Sequence, residues 1–129
     1  MCAVSSNVPQ ARRVGRRNRK RERLTAPNSD YTDPQGSVLT LRGAMTPATR
    51  LKYAQVISGN LLSREDAWQR AVEFLFERLA TRWEIAGLTI DRQHDLLIRF
   101  RAASTEERAW IRTVLREHCA EHFPDIQAP

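Results

Sequence analysis

Apolar residues recur every three or four positions between residues 63 and 86, which is the spacing of one helix face. The stripe consists of Trp68, Val72, Leu75, Phe76, Leu79 and Trp83. Ser63 precedes it as a helix N-cap, with Asp66 three residues later. Gly87 is a typical residue at a helix end. We therefore predict a helix over residues 64–86, roughly 35 Å long, as the spine of the fold.

A shorter helix is predicted on the N-terminal side of this spine. Thr46 and Pro47 form a start signal, because a hydroxyl can cap the helix and proline fits its first position. The helix would run through Leu51, Ala54, Val56 and Ile57. It would end at the pair Gly59-Asn60.

The last predicted helix has the strongest start signal in the chain. Ser104 and Glu107 have the spacing of a capping box, in which each side chain bonds the other residue's backbone N–H. The inward stripe consists of Trp110, Ile111, Val114, Leu115 and His118. The pair Phe123-Pro124 ends this helix.

The segment 88–103 fits two structures. As a helix it would begin at Asp91 and bury the face that contains Leu96 and Phe100. As a hairpin, Leu88–Ile90 would pair with Leu96–Phe100, because residues 96–100 also alternate with period two. Because few of its residues are β-branched, we favour the helix.

The first 45 residues have no sustained apolar period. We expect residues 1–37 to be disordered, because they cannot bury enough apolar surface to offset the entropy of ordering. Residues 37–41 form a short extended piece that could dock on the body. The predicted organisation is a disordered basic arm and linker (1–45), a helical domain (46–123) and a short tail (124–129).

These elements predict an all-α fold, a compact bundle of three or four helices behind a flexible basic arm. The alternative is an α+β fold with a small hairpin at 88–101. A body of this size is near the limit of what one core can stabilise. A homodimer through a Trp68/Trp83 face of the spine helix would add buried area.

Positive charge is concentrated in the arm. The chain has 21 Lys and Arg against 15 Asp and Glu, a net charge of +6. Eight of these bases lie within residues 12–23, beside the single acid Glu22, so the other residues together are almost neutral. The eight are Arg12, Arg13, Arg16, Arg17, Arg19, Lys20, Arg21 and Arg23.

Such a cluster suits nucleic acid, because neutralising phosphates releases condensed counterions and so supplies affinity that does not depend on sequence. Similar clusters serve as import signals, or bind anionic lipid or acidic proteins. The arm contains no aromatic residue. We therefore expect it to bind the phosphate backbone and not the bases.

The last helix carries a second basic feature. Arg108, Arg112 and Arg116 recur every four residues and would form a ridge that could contact phosphates. In the alternative, these arginines pair with acids of a neighbouring helix and cover apolar surface with their stems. The spine helix offers such acids on one face. They are Asp66, Glu73, Glu77 and Glu84.

Motifs for catalysis or cofactor binding do not emerge. His118 and His122 have the spacing of two zinc ligands, but no further ligands lie nearby in sequence. Phosphate loops, nucleophile elbows and paired CxxC motifs are missing from the sequence. We expect no catalytic residues, no metal and no cofactor. Two cysteines do not make a disulfide framework, and we expect reduced thiols in the cytoplasm.

The function that these features favour is a non-enzymatic accessory protein of DNA or RNA. The arm would bind the phosphate backbone, and the helical body would contact partners. The location would be cytoplasmic, and nucleoid or nuclear when nucleic acid is bound. The alternative is an adaptor or assembly subunit of a larger complex, whose arm orders on binding.

Overall fold

Four strands and four helices make up the described part of the chain, residues 27–59 and 63–129 of a computed structural model. In chain order they are β1 (Ser29–Thr32), β2 (Val38–Leu41), α1 (Pro47–Ser58), α2 (Arg64–Leu79), β3 (Ala80–Ile85), β4 (Leu88–Ile90), α3 (Gln93–Arg101) and α4 (Thr105–His122). The fold is therefore α+β. The all-α prediction is wrong.

The strands form one antiparallel sheet in the order β1-β2-β3-β4, with α1 and α2 connecting the two central strands. Alternate residues such as Leu39, Leu41 and Trp83 point to one face and join the helices in the core. The opposite face carries polar residues, including Asp30 and Arg82. This alternation is the period of a sheet with one buried face.

The predicted spine helix is too long by seven residues, because α2 ends at Leu79 and β3 follows at once. Trp83 is opposite Leu39 in the sheet and is 1% exposed. It is therefore not on a helix face with Trp68, and the proposed Trp68/Trp83 dimer face does not exist.

The strands β3 and β4 form a tight hairpin, with Ile85 opposite Leu88. The two loop residues, Ala86 and Gly87, have φ angles of 51° and 81°. Positive φ at both positions is the geometry of a type I′ turn, which matches the twist of the flanking strands. Gly87 therefore turns a hairpin and does not end a helix.

Segment 88–101 combines parts of both predictions. Leu88–Ile90 is a strand, but its partner is β3 and not residues 96–100. Residues 93–101 form the helix α3, which buries Leu96 and Phe100. Asp91 does not cap this helix, because Arg92 occupies the N-cap position without a side-chain hydrogen bond.

The folded body begins earlier than predicted, because β1 and β2 lie inside the predicted linker (1–45). The Asp33 carboxylate accepts from the N–H groups of Gln35 and Ser37, and Gly36 takes a φ of 89°, so this segment forms the β1–β2 turn. The short extended piece predicted near Ser37 is strand β2. The basic arm of residues 12–23 lies outside the described residues.

Three predicted helix starts are confirmed. The Thr46 hydroxyl accepts from the N–H of Thr49, and the Ser63 hydroxyl accepts from the N–H of Asp66. Ser104 forms the full capping box with its partner three residues later. The helix α1 buries Tyr53, whereas Leu51 is 63% exposed and Ile57 packs partly buried against the core.

The C-terminal segment packs against the body. Ile126 and Ala128 contact the core, and the Tyr53 hydroxyl donates to the carbonyl of Gln127. The described part of the chain contains no helix that is both long and apolar enough to cross a membrane.

Candidate functional site

A groove of about 950 Å³ is lined by four segments that lie far apart in sequence. They are residues 42–50 after β2, residues 77–81 at the α2–β3 junction, residues 91–96 at the start of α3, and residues 122–123 at the end of α4. The sheet and all four described helices therefore fix the shape of this groove.

Three arginines line the groove: Arg42 and Arg50 come from the first of these segments, and Arg78 comes from the second. Arg42 is exposed and makes no ion pair with any described residue. Two acids, Glu77 and Asp91, also line the groove, so its lining carries a small positive excess.

Aromatic rings fix the other two guanidinium groups in place. The Arg50 guanidinium carbon lies 5.4 Å from the centre of the Phe123 ring, and Arg50 Nη1 is 2.8 Å from Asp125 Oδ2. The Arg78 guanidinium carbon lies 5.2 Å from the centre of the Phe74 ring. Its Nε is buried and has no hydrogen-bond partner among the described residues. These contacts limit the rotamers of both arginines before any ligand binds.

The N-terminus of α1 lines the same groove, through Thr46, Pro47 and Thr49. This helix has no acidic residue in its first turn, whereas α2, α3 and α4 each have one or two. The positive end of its dipole is therefore not compensated by a carboxylate of its own. It adds to the small positive excess of the groove lining.

The segment that leads into β1 passes beside this groove. A Cβ placed on Gly43 would lie 2.5 Å from the carbonyl oxygen of Pro27 and 3.5 Å from Nδ1 of His122. Only glycine allows so close a backbone approach. The chain before residue 27 therefore joins the fold next to Arg42.

A buried histidine connects α4 to strand β1 and to the residue that follows β2. His118 Nε2 lies 2.6 Å from the carbonyl oxygen of Arg42, which can only accept, so Nε2 carries the proton. Nδ1 then accepts from the Tyr31 hydroxyl at 2.7 Å. The His122 ring lies beside this ring at a tilt of 39°, with 4.4 Å between the centroids, and its Nε2 lies 3.2 Å from the Ser29 hydroxyl.

His118 is expected to make the fold less stable in mild acid. Burial lowers its pKa below the usual 6.5, and the neighbouring His122 adds to this effect. As pH falls through about 6.5, the unfolded chain gains a proton at this ring that the folded protein does not. The free energy of unfolding, measured by urea titration, should be highest above this pH and decrease below it.

The variant His118→Gln keeps hydrogen-bonding capacity but cannot titrate, so it is the matched control. It should lose part of the decrease between about pH 6.5 and 5, where an ordinary histidine takes up its proton. An identical pH profile for the two proteins would contradict the assignment of this decrease to His118.

The predicted ridge of α4 makes three different contacts. Arg108 donates to the carbonyl of Arg101 and lies over the ring of Phe100. Arg112 pairs with Glu65 of α2 at 2.9 Å. Arg116 Nε donates to the carbonyl oxygen of Pro129. The three arginines thus bind the protein itself, and none of them lines the groove.

The predicted acidic face of α2 is divided in the same way. Glu73 pairs with Arg101 of α3 at 2.6 Å. Glu84 lies on β3 and pairs with its neighbour Arg82. Glu77 lines the groove. The four acids therefore do not form one helix face.

Sequence patterns did not indicate the three groove arginines. Arg42, Arg50 and Arg78 are separated by 8 and 28 positions in the sequence and have no common period. Only the antiparallel return of β3 beside β2 brings the α2–β3 junction next to the β2–α1 loop. A local motif could not have identified this group.

The described residues contain no group of three or more His, Cys, Asp or Glu side chains arranged to hold a metal. Both ring nitrogens of His118 are engaged by protein groups. Cys119 is a buried free thiol, and burial raises its pKa to about 11. This thiol is therefore a poor nucleophile.

Comparisons with known proteins find no matching family model, no matching curated protein and no matching solved structure. What the protein does is therefore inferred from its own residues and their geometry.

Proposed function

We propose that this protein binds nucleic acid through the phosphate backbone, as a non-enzymatic accessory protein that uses the basic arm and the groove together. The observation that carries the proposal is the convergence of Arg42, Arg50 and Arg78 in one groove, beside the point where the arm joins the fold. Phosphate contacts of this kind position a protein without reading base sequence.

The chemistry of the groove fits phosphate. Guanidinium groups offer forked donors that match phosphate oxygens, and a helix N-terminus favours the same negative charge. Arg50 and Arg78 are held over rings, so binding costs less side-chain entropy than it would for free arginines.

The arm and the groove are close enough to bind one ligand. Arg23 is four residues before Pro27, so even a fully extended chain keeps these two residues within roughly 14 Å of each other. Once the arm has bound a phosphate backbone, the groove meets the same backbone at high effective concentration. Two weak electrostatic contacts can thereby give useful affinity. We expect the protein to lie in the cytoplasm, and at the nucleoid or in the nucleus when it is bound to nucleic acid.

The groove is tested by the double variant Arg42→Gln/Arg50→Gln in the full chain. Binding to a labelled nucleic acid should weaken about tenfold at moderate salt. The slope of log affinity against log salt should become less negative by about 2, because each phosphate contact contributes about 0.9. Fluorescence anisotropy over a salt series measures both quantities.

The matched control is Arg82→Gln/Arg101→Gln, which removes the same charge from positions outside the groove. It should change the slope much less than the groove variant does. Equal slopes for the two variants would mean that only net charge matters, and would contradict a role for the groove.

A further inference from the structure

We infer that the ligand of this groove is a duplex, and that the protein binds a double-stranded phosphate backbone in preference to a single strand. This inference rests on the proposed function and specifies its ligand class. The duplex can be DNA or RNA, because both present the same phosphodiester chemistry.

The placement of the aromatic residues argues for a duplex. Proteins that bind single strands without sequence preference combine a basic groove with exposed rings on which the bases stack. All nine aromatic residues of this chain lie within the described residues, and every one is buried or partly buried. Phe123, the aromatic residue that lines the groove, is 2% exposed and lies beneath Arg50.

The partly buried rings are engaged by the protein itself. The Tyr31 hydroxyl donates to His118. The Phe74 ring contacts Tyr53, and the Arg78 guanidinium lies over it. Trp68 and Trp110 pack against the core. A stacked base would have to displace these contacts, so the unpaired bases of a single strand gain little here.

The fixed geometry of the cationic groups also favours a duplex. A duplex carries one negative charge per 1.7 Å of its axis, twice the density of a single strand with the same rise. It is also stiff over a length of about 50 nm. Two of the three groove arginines are held over rings, and the walls belong to four segments, so the groove is largely preformed. A stiff ligand loses less conformational entropy on binding such a surface than a flexible strand does.

The test compares the full chain on labelled strands of one length and mixed sequence, chosen to lack self-complementarity. Each strand is measured alone and annealed to its complement, as DNA and as RNA, at the same salt and the same phosphate concentration. We expect each duplex to bind roughly tenfold more tightly than its own strand, because of its higher charge density. Preference for either duplex over its strand supports the inference.

The double variant Arg42→Gln/Arg50→Gln separates this inference from the proposed function. If the strands bind as tightly as the duplexes and the variant weakens both, the preference for a duplex is wrong and groove binding stands. If the variant weakens neither, the groove is not the site and both fail. A duplex preference that persists when the variant weakens duplex binding supports both.

Discussion

Replacing the eight bases of the arm by glutamine in the full chain is expected to remove most of the salt dependence of nucleic-acid binding. The positions are Arg12, Arg13, Arg16, Arg17, Arg19, Lys20, Arg21 and Arg23. If most of these charges contact phosphates, they contribute about −5 to −7 to the slope of log affinity against log salt. The remaining slope should be about −2 to −3, the share of the three groove arginines.

The control keeps the positive charge of the arm and replaces its guanidinium groups by ammonium groups. With the seven arginines of the arm replaced by lysine, the slope should stay close to that of the parent protein, because counterion release depends on charge. Anisotropy titrations between low and moderate salt measure all three proteins. If the glutamine variant retained the full slope, the arm would not contact phosphate, and the proposed function would lose its main source of affinity.

A salt-tolerant interaction after the glutamine replacement would indicate the adaptor alternative. Contacts dominated by apolar area change little with ionic strength, because screening acts on exposed charges. The same titrations therefore distinguish an arm that binds polyanions from a body that binds a protein surface.

The starts of three helices could be predicted from sequence because their caps are local. Thr46, Ser63 and Ser104 each bond a backbone N–H three residues later, so all the necessary information lies within one turn. The capping box of Ser104 is the strongest of these signals. It is borne out in both of its hydrogen bonds.

The sheet could not be predicted in the same way. Trp83 follows Leu79 at helical spacing, so the helix pattern runs on into a strand without a break. The hairpin also lacks its usual sequence signal, because Ala86 occupies a position with positive φ that Asn, Asp or Gly normally takes. The pairing of β3 with β2 joins residues that lie 39 to 46 positions apart in the sequence, and it depends on tertiary packing.

The candidate site likewise has one part that local sequence can indicate and one part that it cannot. Clustered charge is visible in a sequence, so the arm could be proposed from it; the arm lies outside the described residues, and its role stays a prediction. The groove depends on which elements the fold brings together. The ridge of Arg108, Arg112 and Arg116 shows the opposite case. Its regular spacing is visible in the sequence, but the acid and the carbonyls that the fold places beside these arginines are not.

Replacing Trp83 by alanine is expected to destabilise the fold by about 3–5 kcal/mol, the usual cost of removing a large buried ring. Trp83 is 1% exposed, packs edge-on against Phe76 and lies under the guanidinium of Arg99. It therefore connects the sheet to α2 and α3. Because small domains are stable by only about 5–15 kcal/mol, much of the variant should unfold in mild denaturant.

Two further variants locate this effect in the core. Trp83→Phe should cost less, because it keeps the ring and removes an indole N–H that has no partner among the described residues. Trp68→Ala should also cost less, because Trp68 is only partly buried. Urea titrations at several protein concentrations decide between a core and an interface. A loss that depends on concentration would place Trp83 at a dimer contact, and a loss that does not would place it in the interior of one chain.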